Sequence, residues 1–110
     1  MDIEQLTEQF SNSKKIFVAI GNETRQAIIT TLIDPECGGM RVGDIKEKTH
    51  LSRPAVSHHL KILLDAEVIG RRRVGTKNFY YLKLGGQWQT LVQLINNIEN
   101  LRELEDKNHE

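Results

Sequence analysis

The sequence predicts a mainly α fold interrupted once by a small β-hairpin. Three observations carry this. Apolar residues recur at steps of three and four through most of the chain, the period of an amphipathic helix. Between residues 68 and 84 the period changes, and two β-prone runs, VIGRRRV and KNFYYLKL, flank Gly75 and Thr76. The chain has 110 residues, 38% apolar and 27% charged, which suits one domain, 1–110, with a modest core.

The elements follow in order. Ile3, Leu6, Phe10, Ser13 and Phe17 make one helical stripe, so a helix is expected over 3–20. Gly21 and Asn22 break it. Asn22 is a suitable N-cap for a second helix through about residue 33, with Ala27, Ile28, Thr31 and Leu32 inward. DPECGG, residues 34–39, is a loop by its Pro and Gly content. A short helix over 42–49 turns Val42 and Ile45 inward, and HLS closes it in a tight turn.

Ser52 then caps a fourth helix whose first turn holds Pro54, where a missing N–H costs nothing. Val56, Leu60 and Leu63 form its buried stripe. Ala55, Ser57, His58 and Lys61 point elsewhere. After the hairpin, residues 87–106 contain no Gly or Pro and carry Trp88, Leu91, Leu94, Ile95, Ile98 and Leu101 as a wide apolar stripe. A frayed tail is expected at 107–110. The order helix-helix-helix-helix-hairpin-helix is that of a winged helix-turn-helix, with the helix-turn-helix at 42–66 and the wing at 68–84.

Composition narrows the function. The net charge is zero, yet it is unevenly spread. Residues 1–40 carry three basic and six acidic side chains; residues 41–83 carry ten and four; residues 84–110 carry two and five. A basic middle between acidic ends suits one face for an anionic partner. The longest apolar run, IFVAI at 16–20, is too short for a membrane span, and the polar N-terminus is unlike a secretory signal. With the single cysteine, Cys37, these features place the chain in the cytoplasm by default. No Gly-rich phosphate loop or nucleophile–base pattern points to an enzyme, and no cofactor is expected.

A helix fits the major groove of B-DNA, and the second helix of a helix-turn-helix offers its N-terminal residues to base edges. Here these are Arg53, Ala55, Ser57 and His58. Lys61, one turn on, suits a phosphate. In the wing, strand alternation puts Arg71 and Arg73 on one face and Arg72 on the other, with Lys77 across the tip. The first and last helices, 3–20 and 87–106, carry more apolar surface than so small a domain buries. Leu6, Phe10, Phe17, Trp88, Leu91, Ile95 and Ile98 are therefore expected in a homodimer interface, and a two-fold dimer implies a palindromic site on double-stranded DNA. The competing reading is a winged-helix module that docks a protein without reading DNA.

Three segments resemble the ArsR family of bacterial repressors. AIGNETRQAIITTLI (19–33) is similar to its second-helix pattern. LSRPAVSHHLKILLDAEVI (51–69) resembles its recognition helix, including Ser57, His58, His59 and Leu60. GTKNFYYL (75–82) resembles its wing, ending in Tyr80 and Leu82. The resemblance implies a homodimeric winged-helix repressor that binds operator DNA. It implies a mainly structural role for His59, beside the buried stripe, and a DNA-facing place for His58. At Glu67 many members have Gly, which suits a left-handed helix end.

The family's metal motifs are not matched. Many arsenic, cadmium and lead sensors carry Cys-Val-Cys-Asp-Leu where this chain reads RVGDI, so Arg41 and Gly43 replace both thiolates. Zinc and nickel sensors often use imidazoles on the last helix, and here no His lies between His59 and His109. His50, His58 and Cys37 fall short of a tetrahedral zinc set. No metal site is expected. Cys37 is an ordinary loop cysteine, or an intersubunit or singly oxidised thiol. The effector is left open among a small molecule, a protein partner and none.

Overall fold

The structure is a computed structural model, and it describes residues 2–34 and 38–108. Cys37, His109 and Glu110 lie outside the described residues. The elements are α1 (Ile3–Asn12), α2 (Lys14–Ile20), α3 (Glu23–Thr31), α4 (Val42–Thr49), α5 (Arg53–Asp65), β1 (Ile69–Val74), β2 (Lys77–Leu82), α6 (Gly86–Glu99) and α7 (Leu101–Asn108). The fold is mainly α with one antiparallel hairpin, as the sequence predicts.

Two helices expected to be continuous are divided. The 3–20 stripe breaks at Ser13, which is buried and leaves helical geometry at ψ 7°. Its hydroxyl donates to the Gln9 carbonyl at 3.0 Å and its N–H to that of Phe10 at 3.1 Å, so the end of α1 is satisfied locally. The stripe survives the break because the Phe10 and Phe17 rings stack across it, 4.9 Å apart. The second division falls at Asn100. The tail expected to fray continues as helix through Lys107 and Asn108.

The helix starts are capped as their residues dictate. At α1, the Asp2 carboxylate accepts from the Gln5 N–H (2.7 Å) and the Gln5 side chain accepts from the Asp2 N–H (3.0 Å), a capping box. Asn22 accepts from the Arg25 N–H (3.0 Å), and Ser52 from the Ala55 N–H (3.2 Å). The inward face of α3 is rotated from the expected one. Ile28, Ile29 and Leu32 are buried, while Ala27 is exposed and its carbonyl accepts from the Thr30 and Thr31 hydroxyls.

The core sits where α2, α3, α4, α5, α6 and the base of the hairpin meet. Ile28, Ile45, Val56, Leu63, Val68 and Leu94 are fully enclosed there. Each such side chain contributes about 1.5–3 kcal/mol by leaving water.

α5 ends in a Schellman motif. The Val68 N–H donates to the Leu63 carbonyl (3.0 Å) and the Glu67 N–H to that of Leu64 (3.0 Å). Glu67 takes the left-handed conformation this requires, at φ +58°. The hairpin pairs Ile69 with Leu82 through Val74 with Lys77, leaving Gly75 and Thr76 as the loop. Gly75 at φ +63° supplies the turn.

A strand position at Met40, just after the expected 34–39 loop and not foreseen, holds the wing. Met40 and Tyr80 exchange N–H···O bonds of 2.8 Å in both directions. Gly39, at φ +104°, precedes it; a Cβ there would lie 3.1 Å from the Phe79 Cβ and 3.2 Å from the Tyr80 carbonyl oxygen. At the other end of the wing the Trp88 indole N–H donates to the Val68 carbonyl at 2.9 Å, tying α6 to the start of β1.

Candidate nucleic-acid interface

α4 and α5 are joined by His50, Leu51 and Ser52. The turn is tight because His50 adopts a left-handed conformation (φ +59°) and its N–H closes α4 onto the Lys46 carbonyl at 2.9 Å. α5 then packs Val56, Leu60 and Leu63 inward, which leaves Ser57, His58 and Lys61 exposed and Ala55 half-buried.

α5 and the wing face each other across a cleft of about 610 Å³. It brings together Ser57, Lys61 and Arg71, three of the expected contact residues, over a floor that includes Leu60 and Tyr80. Arg71 reaches it from the strand position opposite Tyr80. Arg72, on the other face, turns back on the protein: it donates to the Gly38 carbonyl (2.8 Å) and lies 5.7 Å from the Phe79 ring centroid. Arg73 donates through Nε to the Gly75 carbonyl at 3.0 Å and braces the turn.

Arg53 and Lys77 are not in that cleft. They line a second cavity of about 360 Å³ between the start of α4 and the tip of the wing, together with Arg41, which sequence reasoning did not assign. The Arg53 guanidinium lies over Gly43, 3.6 Å from where a Cβ would stand.

Helix α5 is anchored from behind by Arg25. This side chain is only 8% exposed. Its Nε donates to the Ala19 carbonyl (2.7 Å) and Nη2 to that of Val18 (3.0 Å), and Gln26 donates to the Ile20 carbonyl (2.8 Å). The free carbonyls at the end of α2 are therefore capped by side chains of α3. Nη1 of Arg25 lies 3.3 Å from Nδ1 of His59. Arginine has no acceptor, so Nδ1 accepts and the imidazole carries its proton on Nε2. Burial first, then the charges of Arg25 and His58, hold His59 below its ordinary pKa of 6.5 and keep it neutral at pH 7. His58 stands edge-on to it, centroids 5.2 Å apart, and is exposed. Sequence reasoning gave Arg25 no role, because the carbonyls it meets lie at the end of another helix.

The residues expected at a dimer interface divide. Leu91 is buried in the core of the single chain, and Leu6, Phe17 and Trp88 are half-buried against it. Phe10, Ile95 and Ile98 are exposed, at 51%, 54% and 39%, and Ile3, Val18, Val92 and Leu104 join them. Among the described residues no group of three His, Cys, Asp or Glu side chains is placed to hold a metal ion. Nor is any helix among them long and apolar enough to cross a membrane.

Comparison with known proteins gives a consistent answer. The arsR family of bacterial regulatory proteins matches residues 22–70. A helix-turn-helix-type transcriptional regulator of Methanocaldococcus jannaschii is 33% identical over 91 residues, covering 83% of this chain and 99% of its own. The transcriptional repressor SdpR of Bacillus subtilis is 43% identical over 67 residues, 61% of this chain and 71% of its own. Among solved structures, an ArsR-like transcriptional regulator from Rhodococcus sp. RHA1 superposes with a TM-score of 0.69 at 22% identity, over 90% of this chain and 87% of that one. At that identity the last likeness establishes the fold alone.

Proposed function

We propose, from the premise that this chain belongs to the arsR family of bacterial regulatory proteins, that it is a homodimeric repressor of a palindromic operator and does not sense a metal. The family and the matching relatives are transcriptional regulators, not enzymes. The observation that carries the DNA reading is the shared cleft, in which Ser57, Lys61 and Arg71 from two separate elements face one space. The recognition helix supplies base contacts and the wing supplies charge.

The dimer is supported by shape. The Cα radius of gyration is 17.3 Å, against about 13 Å expected for a compact chain of this length. No side chain of α1 is fully buried, and α6 and α7 extend with Ile95, Ile98 and Leu104 exposed. A second copy covering these faces would set two recognition helices about 34 Å apart. Arg41 and Gly43, standing where many family members carry thiolates, support a repressor that answers to something other than a thiophilic metal.

The test is fluorescence anisotropy of the metal-free protein on its own upstream DNA and on a scrambled duplex at physiological salt, with the oligomeric state measured by analytical ultracentrifugation. Nanomolar binding to the first, at least about a thousandfold tighter than to the second, and a dimer in solution are expected. Equal, micromolar, salt-sensitive binding to both would leave only backbone attraction and move the protein-docking reading ahead. A monomer at micromolar concentration would remove the palindrome.

A further inference from the structure

We propose that the cavity between the start of α4 and the wing tip seats one phosphate of the DNA backbone, with Arg41 as a contact residue. This rests on the DNA-binding reading above. Three cations converge on the cavity from three segments: Arg41 ahead of α4, Arg53 at the start of α5 and Lys77 at the start of β2. None of the three makes an ion pair among the described residues. The one acidic residue of the lining, Asp44, faces the Arg41 backbone N–H at 3.4 Å. Three positive charges against one negative leave a net attraction for a singly charged phosphodiester.

The position suits a duplex. A helix whose N-terminal residues meet base edges has backbone phosphates on both flanks. One flank of α5 is the cleft holding Ser57, Lys61 and Arg71; the cavity lies at the start of α5, toward the wing tip. The Arg53 guanidinium reaches it alongside Gly43, 3.6 Å from where a Cβ there would stand. Arg53 thereby becomes a phosphate contact, not a reader of bases.

The same chemistry would take a free phosphate or a phosphorylated small molecule, and the experiment separates the sources. Wild type, Arg41→Ala and Arg41→Lys are titrated onto the upstream and scrambled duplexes between 50 and 200 mM KCl. Losing one phosphate contact lowers the log–log salt slope by about 0.9. Arg41→Ala is therefore expected to lose about 3.5-fold less affinity than wild type over that salt range, equally on both duplexes. Arg41→Lys retains the wild-type slope. In parallel, inorganic phosphate is added without DNA at matched ionic strength, and melting temperature is followed.

An unchanged slope in Arg41→Ala overturns the proposal. So does a phosphate-dependent rise in wild-type melting temperature that Arg41→Ala abolishes while its slope stays intact, since that makes the ligand a free anion. If wild type shows no preference for the upstream duplex, the repressor reading fails; the slope difference on either duplex still decides the role of Arg41.

Discussion

Glu67 offers a sharp test of how the wing is joined to the recognition helix. It occupies the left-handed position of the Schellman motif at φ +58°, where a side chain costs about 1–2 kcal/mol against ordinary geometry and glycine costs nothing. Glu67→Gly removes that cost. Against it stand the greater chain entropy of glycine when unfolded, about 0.5–1 kcal/mol, and the contact to Lys83. The latter is worth little: Oε1 and Nζ are 3.8 Å apart and both side chains are about half exposed. The two hydrogen bonds of the motif are made by backbone and survive the change. The net expectation is a gain of about 0.5–1 kcal/mol, or roughly 3–5 °C in Tm for a chain of this size. Thermal unfolding by circular dichroism at a fixed protomer concentration measures it, since a dimer's Tm depends on concentration. Glu67→Gln, which keeps the Cβ and removes the charge, isolates the ion pair and should move Tm by less than 1 °C, an effect on the order of 0.2 kcal/mol. A Glu67→Gly protein that melts at or below the wild-type temperature would refute the conformational argument.

Other expectations follow from the same contacts. Arg25→Ala strips two donors from the α2 carbonyls of Val18 and Ala19 and the partner from His59. Denaturant titration should show a loss of about 3 kcal/mol, and Arg25→Lys should not recover it, because one ammonium cannot reach three directions. Because the folded chain holds the His59 pKa below 6.5, the unfolded chain binds the proton more readily. Stability should therefore fall as pH drops through about 6.5, and His59→Gln should flatten that part of the melting-temperature profile between pH 7.5 and 5.5; parallel profiles for the two proteins would remove His59 from the acid response. His58→Ala should weaken binding to the upstream duplex by about 1–3 kcal/mol and relax base preference, with scrambled-duplex affinity unchanged; equal losses on both duplexes in anisotropy would reassign His58 to the backbone.

Much of the fold was legible because its signals are local. Asn22, Ser52 with Pro54, and Gly75 each mark a boundary through their own chemistry, and helices or strands begin and end there. The division at Ser13 was not legible, because the apolar period runs through it and the Phe10–Phe17 stack keeps the stripe in phase. Ala27 was misplaced because residues 28 and 29 are both isoleucine, and packing, not period, decided which neighbours turned in. Met40 gives no sequence sign of pairing, since a bridge of one residue has no alternation to read. At the interface, the exposed polar face of α5 follows from the position of its buried stripe. Arg53, by contrast, lines a cavity with residues from the start of α4 and from the wing tip. A relation between two elements of that kind is not written in either one.

The Trp88 indole, half-buried on α6 and bonded to the Val68 carbonyl, is the chain's single tryptophan. Its emission therefore comes from one place, the joint between the helix pair proposed to meet a second copy and the strand that carries Arg71. A rotation of either element that lengthened this bond would change the polarity around the ring and shift the spectrum. The protein thus carries its own optical probe of any coupling between assembly and the wing. Intrinsic fluorescence can follow subunit association and duplex binding in the same cuvette, with no label on either partner.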